Sequence, residues 1–135
     1  MGEADFIDKI ALIYVKERRI LMALSRGKDT YYIPGGKREN GESDEQALCR
    51  EIKEELTVDI CSETVRYYGK FCAQAHGKPP GAMVRMTCYT AILEGQIKPG
   101  SEIENTVYYG YSQRDIVGPV DQLIFDDLRL NDIID

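Results

Sequence analysis

Residues 33–58 read IPGGKRENGESDEQALCREIKEELTV, and seven acidic side chains crowd into positions 35–56. Like charges three or four residues apart on a helix repel by about 0.2–0.5 kcal/mol per pair, so the clustering needs an offsetting gain. That the segment is helical follows from its start and its period. Ser43 can cap it, and Gln46 three residues later completes a capping box. Leu48, Ile52 and Leu56, with Cys49 beside them, form an apolar flank. The spacing predicts a helix over 43–56. At about 100° per residue, with Arg50 at the origin, Glu54 falls at about 40°, Glu51 at about 100° and Glu55 at about 140°. Ala47 lies within that arc, where a small side chain leaves room. Three carboxylates therefore converge with a guanidinium at their margin. Hard oxygen ligands of this kind suit Mg²⁺ or Mn²⁺, which share their remaining sites with water and phosphate. A solvated acidic face would show the same spacing. Ahead of the helix, Gly35 and Gly36 allow the main chain to approach a ligand closely.

Composition narrows the choice. The chain has 135 residues, 43% apolar and 30% charged, which predicts one globular domain over 1–135 with a real core. A net charge of −6 argues against a partner that is a nucleic-acid polymer. The charge is uneven: residues 9–38 hold eight Lys or Arg against two acids, and 39–63 hold nine acids against two bases. That pattern fits two solvated faces, or one site that takes an anion through a divalent cation. No apolar run reaches the ~20 residues of a membrane span, and the start MGEADFIDKI has no apolar signal region. Gly2 stands in a poor myristoylation context. Cys49, Cys61, Cys72 and Cys88 show no CxxC spacing, so reduced and mostly buried thiols in a cytoplasmic protein are expected.

Along the chain, strands are predicted near 6–16 and 19–25, joined by the charged turn KERR, then a short strand at YYIPGG. Extended runs near 64–75 and 82–94 flank the Gly/Pro loop AHGKPPGA, and ENTVYYGYS is a further strand. After VGP, Val120, Leu123, Ile124, Leu128 and Ile133 form a helical stripe. The expected class is α/β (α+β), a mixed sheet with helices on its faces.

Gly36, Glu42 six positions on, and REIKEELTV from Arg50 to Val58 resemble the signature of the Nudix hydrolase superfamily, G-x5-E-x7-R-E-U-x-E-E-x-G-U, U being a bulky aliphatic residue. Gly36, Glu42, Arg50, Glu51, Ile52, Glu54, Glu55 and Val58 match; Thr57 stands where the family has its second glycine. The resemblance implies an α/β/α sandwich and hydrolysis of a nucleoside diphosphate linked to another group, by water attack on phosphorus with Mg²⁺ or Mn²⁺. It implies Glu54 and Glu55 as metal ligands with the Gly35 carbonyl. Glu51 would be a further ligand or the base, and Arg50 would hold it by charge-assisted hydrogen bonds. Glu42 would brace the loop or reach a second metal. Thr57 either takes the left-handed conformation a glycine would supply, or the helix leaves by another turn.

Outside the motif, Glu102 (with Glu104 beside it) is a candidate for the later acid many members add. Arg26, Lys28, Lys37 and Arg38 are candidate phosphate contacts. His76 is expected to be uninvolved. Tyr31, Tyr32, Tyr108, Tyr109 and Tyr111 could stack on a base. Asp121 or Gln122, at the start of the last helix behind Pro119, could read a base edge; Asp121 could equally cap that helix. The shortness of the chain resembles MutT-like members, so the expected substrate is a (deoxy)nucleoside triphosphate, cleaved to monophosphate and pyrophosphate by a monomer or homodimer. ADP-ribose or dinucleoside polyphosphate hydrolysis, or nucleotide sensing without turnover, are the alternatives.

Overall fold

A computed structural model describes residues 6–135; Gly2 and its neighbours lie outside the described residues. In chain order the elements are β1 (Phe6–Leu12), β2 (Val15–Lys16), β3 (Arg19–Ser25), β4 (Gly35–Gly36), α1 (Asp44–Leu56), β5 (Asp59–Ile60), β6 (Arg66–Gln74), β7 (Met83–Thr90), β8 (Leu93–Glu94), β9 (Ile103–Tyr109) and α2 (Pro119–Leu130). One sheet runs β4-β1-β7-β6, with β1 and β7 parallel and both outer pairs antiparallel; a second runs β2-β3-β9, and β5 pairs with β8. No helix among the described residues is long and apolar enough to cross a membrane.

The strand expected over 6–16 divides after Leu12. Its first part pairs with β7, and its end, β2, pairs with β3 in the other sheet. The turn that follows holds Glu17 and Arg18 both at positive φ, 53° and 63°, which is the geometry a tight hairpin demands. The Arg18 side chain bonds Asp132 and Asp135, tying the turn to the chain's last residues.

Alternation along β1 and β3 feeds two cores. Ile10, Leu12 and Leu21 meet Ala47, Leu48, Ile52 and Leu56 of α1. Ala11, Ile13, Ile20 and Met22 meet Val120, Ile124, Phe125 and Leu128 of α2. Strands buried on both faces, with one helix on each, make the α/β/α sandwich. Leu123 departs from the expected stripe: it is 41% exposed, and Ile133 lies beyond the end of α2. The expected strand ENTVYYGYS ends at Tyr109, and its last two residues enter a short 3-10 segment, Tyr111–Ile116. The cysteines are free as expected, but only Cys88 is buried and Cys72 is exposed.

The start of α1 follows its sequence, since Ser43 and Gln46 form the reciprocal capping box. Its end answers the question Thr57 raised. Thr57 is left-handed, φ 56° and ψ 34°, a conformation a β-branched residue occupies at a cost of about 1–2 kcal/mol. Its single hydroxyl proton offsets part of that, shared between Leu56 O at 2.7 Å and Lys98 O at 3.1 Å. Relief of strain exceeds the lost bonds and the added chain entropy, so Thr57→Gly should raise stability by up to about 1 kcal/mol. Thr57→Val keeps the strain and loses the bonds, and should lower it. Urea melts of the three proteins check the order Gly, Thr, Val.

Candidate functional site

The glycine pair and α1 are assembled against each other. Gly35 and Gly36 pair with Ala11 and Ile10 of β1, and the Gly35 N–H donates to Glu55 Oε1 at 3.2 Å. A methyl carbon on Gly36 would stand 2.5 Å from the Glu51 carboxylate, and one on Gly35 would strike the Ile10 carbonyl. Both positions need glycine, for different neighbours.

Arg50 is the hub. Its Nε and Nη2 grip both oxygens of Glu42 at 2.7 and 2.9 Å; Nη1 reaches Glu51 at 3.1 Å and Glu54 at 3.4 Å, and Nη2 also donates to the Lys37 carbonyl. The bidentate grip holds the Glu42 carboxyl down at about 2. Glu51 and Glu55 stand one turn apart on α1, both against the glycine pair. Burial, then the neighbouring Glu51 charge, push Glu55 up to about 8, and burial raises Glu51 as well.

The helical arc is thus only partly gathered. Glu51 and Glu55 face the glycines, whereas Glu54 is 59% exposed and turned to Arg50. Ala47 does not border open space; it is fully buried in the α1 core. Ile52 and Val58 pack in that core too. Among the described residues no three acidic, His or Cys side chains form a ready cage. Two adjacent carboxyls beside the Gly35 main chain nonetheless fit a hard cation, which would relieve their mutual repulsion and take water and phosphate as its other ligands.

From this end a cavity of about 440 Å³ runs across the α2 face of the sheet. Its lining includes Gly35 and Glu55 together with Gly118, Pro119, Val120 and Asp121 from the start of α2. Asp121 is 4% exposed, and burial raises its carboxyl to about 7. The capping expectation for Asp121 fails: Gly118 is the N-cap with no side-chain bond, and Asp121 is buried with Oδ1 lacking a partner. Gln122 donates to Arg114 O and is not in the lining.

The expected phosphate contacts divide. Lys28 lines the cavity; Arg26 donates to Ser101 O, Arg38 is committed to Asp8 and Asp44, and Lys37 is exposed. Glu102 is exposed, its carbonyl accepting from the Arg26 N–H. Tyr31 and Tyr32 line the cavity; Tyr109 tilts against Tyr31, Tyr111 donates to Asp126, and Tyr108 packs on the α1 core. His76, expected to be uninvolved, also lines the wall, and so does Lys9, which sequence reasoning did not single out. A lysine alternating with Ile7 and Ala11 on an apolar strand face was the available signal.

The NUDIX domain model matches residues 8–116, and the chain belongs to this family and is a Nudix hydrolase. No curated protein sequence matches it. Among solved structures, the MutT protein of Methanosarcina mazei Go1 is similar at 14% identity and TM-score 0.78, covering 98% of this chain and 99% of that one. The E. coli dihydroneopterin triphosphate pyrophosphohydrolase is 21% identical with TM-score 0.72, covering 92% and 95%. The E. coli ORF135 protein is 23% identical with TM-score 0.71, covering 93% and 91%. At these identities the likeness speaks for the fold.

Two outcomes follow from the geometry. Gly36→Ala presses on the far end of a flexible Glu51 side chain, so it should cost under about 1 kcal/mol of stability yet lower activity at least tenfold; melts and rates on one preparation check the contrast. Asp121, raised from 3.8 to about 7 in the fold, favours folding most when protonated. Its penalty therefore grows as pH rises from about 4 to 7 and is constant above. Asp121→Asn keeps the shape of the side chain and removes the buried charge. It should stabilise the protein by more than about 1 kcal/mol at pH 8, and far less at pH 4.5, in paired urea melts.

Proposed function

We propose that this protein is a divalent-metal-dependent pyrophosphohydrolase of small nucleotides, acting on a nucleoside or deoxynucleoside triphosphate to give the monophosphate and pyrophosphate. The observation that carries the reading is continuity: Glu55, with Glu51 beside it, and the Gly35 main chain border a cavity whose lining also includes apolar residues of the sheet and the buried Asp121. Such a space suits a nucleoside whose phosphates reach back to the acids.

In this reading Glu55, Glu54 and the Gly35 carbonyl hold Mg²⁺ or Mn²⁺, with Glu102 as a later addition. When bound, the cation neutralises the pyrophosphate and acidifies the attacking water. Glu51 is a further ligand or takes the proton from that water. Arg50 orients Glu51 and Glu54, while Glu42 fixes Arg50 to the loop. Glu54 reaches inward by giving up its contact with Arg50, the longest of the set. Lys28 in the lining and the exposed Lys37 supply positive charge around the phosphates. Asp121 meets the base.

Turnover should require divalent metal and stop in excess chelator. Glu54→Gln should fold normally and lose on the order of a hundredfold in rate, a few kcal/mol of transition-state stabilisation. A chromatographic assay with Mg²⁺ over nucleoside triphosphates, ADP-ribose and dinucleoside polyphosphates reads both product and preference. Activity that survives chelation, or a fully active Glu54→Gln protein, would overturn the mechanism.

A further inference from the structure

The loop that leads from β4 into α1 is held by two arginines with different anchors. Arg50 holds it from the helix, through both Glu42 oxygens and the Lys37 carbonyl. Arg38 holds it from the sheet and from the helix start: its Nε donates to Asp44, in the first turn of α1, and its Nη1 donates to Asp8 of β1 at 3.1 Å. Both acids are braced in turn by β7. The Tyr89 hydroxyl donates to Asp44, and Arg85 reaches Asp8 with two nitrogens at 3.4 Å while its guanidinium lies 4.9 Å from the centre of the Phe6 ring. Arg85 stands opposite Asp8 in the β1–β7 register, and Tyr89 lies four residues on, on the same face. The Arg38 side chain is 26% exposed and Asp44 33%, so this is more sheltered than an ordinary surface pair. The guanidinium holds the Asp44 carboxyl below the usual carboxylate range, so the contact persists through neutral pH. None of these side chains belongs to the cavity lining. Arg38 can therefore bear on the reaction only through what it holds.

What it holds is one peptide unit. The carbonyl that receives Arg50 Nη2 belongs to Lys37, and the nitrogen of the same planar unit belongs to Arg38. A side chain pinned to Asp8 and Asp44 fixes where that carbonyl stands. The Arg50 fork is rigid, so what is set at Nη2 is set at Nη1 as well. From Nη1 the fork reaches Glu51 at 3.1 Å and Glu54 at 3.4 Å.

We propose that Arg38 is a positioning residue for hydrolysis: anchored to Asp8 and Asp44, it fixes the Lys37 carbonyl and thereby the orientation in which Arg50 presents Glu51 and Glu54. This rests on the reading of Arg50 as the residue that orients those acids, and it gives Arg38 a role through the loop in place of a contact with phosphate. Lysine would serve poorly, because a point charge meets one carboxylate and leaves the other.

The Arg50 Nε–H reports on this without turnover. It donates to Glu42 at 2.7 Å from a side chain only 22% exposed, and its side-chain NMR signal is assigned by its loss in Arg50→Lys. In Arg38→Met the signal should move toward that of free arginine and exchange severalfold faster with water; Arg38→Lys should lie between. With a nucleoside triphosphate and Mg²⁺, well below the melting temperature, Arg38→Met should lower kcat about tenfold and leave KM within about twofold. In an Arg50→Lys background the same substitution should cost less than about twofold more, because the route through Arg50 is already broken. Asp8→Asn removes one anchor without touching the loop, and should move the same signal the same way should Arg38→Met fold poorly. A bond that serves stability alone would lower the melting temperature and leave both the signal and kcat in place. An unmoved Arg50 signal, a moved signal with kcat intact, or an equal further loss in the Arg50→Lys background would each overturn the role. A protein that hydrolyses no triphosphate, yet whose Arg50 signal moves, loses the pyrophosphohydrolase reading and keeps the link from Arg38 to Arg50. Undiminished triphosphate turnover in Arg38→Met, with the signal unmoved, does the reverse.

Discussion

The site depends on one guanidinium. Arg50 spends its donors on Glu42, Glu51, Glu54 and the Lys37 carbonyl, and so joins the loop before α1 to the acids on its third and fourth turns. Without it, the acids on this face of the helix would repel one another, and the loop would be tied to the helix only by the Arg38–Asp44 pair and the Gly35 N–H on Glu55. Arginine suits the post because its fork is planar and always charged; lysine would meet one carboxylate as a point charge and release the others. Partial burial strengthens the grip, since the Arg50 side chain is only 22% exposed. The cost of crowding acids on α1 is met first by this residue, and a cation would relieve what remains between Glu51 and Glu55.

That arrangement also fixes which side of the sheet does what. The apolar flank of α1 closes one core, and its acids emerge at the edge where β4 joins β1. The opposite face belongs to α2, whose first turn contributes Asp121 to the cavity wall. Gly35 is where the two sides communicate: its N–H binds Glu55, and its lack of a side chain lets β4 lie against the Ile10 carbonyl. A ligand lying across this junction would touch α1 with one end and α2 with the other.

What the sequence disclosed, and what it withheld, divides along the same line. The capping box, the end of α1 at Thr57 and the two-faced sheet could be read because local chemistry writes them: a hydroxyl and an amide three residues apart, a fixed period, alternating apolar residues. The motif positions were legible for the same reason, being close in sequence. Lys9, His76 and the burial of Asp121 were not, because each depends on what the fold sets opposite it. The buried Asp121 resembled a cap, since an acid in a helix's first turn usually serves the helix, and only the packing of other segments over it shows otherwise. Arg38 likewise looked free for phosphate until Asp8, 30 residues earlier, was found beside it. Leu123 fitted the helical period but faces outward, because the period fixes a stripe and not how wide a stripe the sheet can cover.

Thr57 shows how a local departure is absorbed by a distant segment. A helix ends with carbonyls that need donors, and a glycine just past it usually arranges them. Here the segment ahead of β9 does that work from outside: Lys98 N–H donates to Leu56 O, Gly100 N–H to Glu55 O, and the Thr57 hydroxyl to Lys98 O. Gly100 must be glycine for this, since a side chain there would run into the Glu54 carbonyl. The conformational freedom missing at position 57 is thus matched by a close approach at position 100. The same docking brings residues 98–102 against the helix end that bears Glu54 and Glu55, where the carbonyls of Ser101 and Glu102 in turn hold Arg26. The main-chain bonds from Lys98 and Gly100 therefore fasten to the acidic helix the segment that carries Glu102, with the threonine hydroxyl sharing its proton between that segment and the helix end.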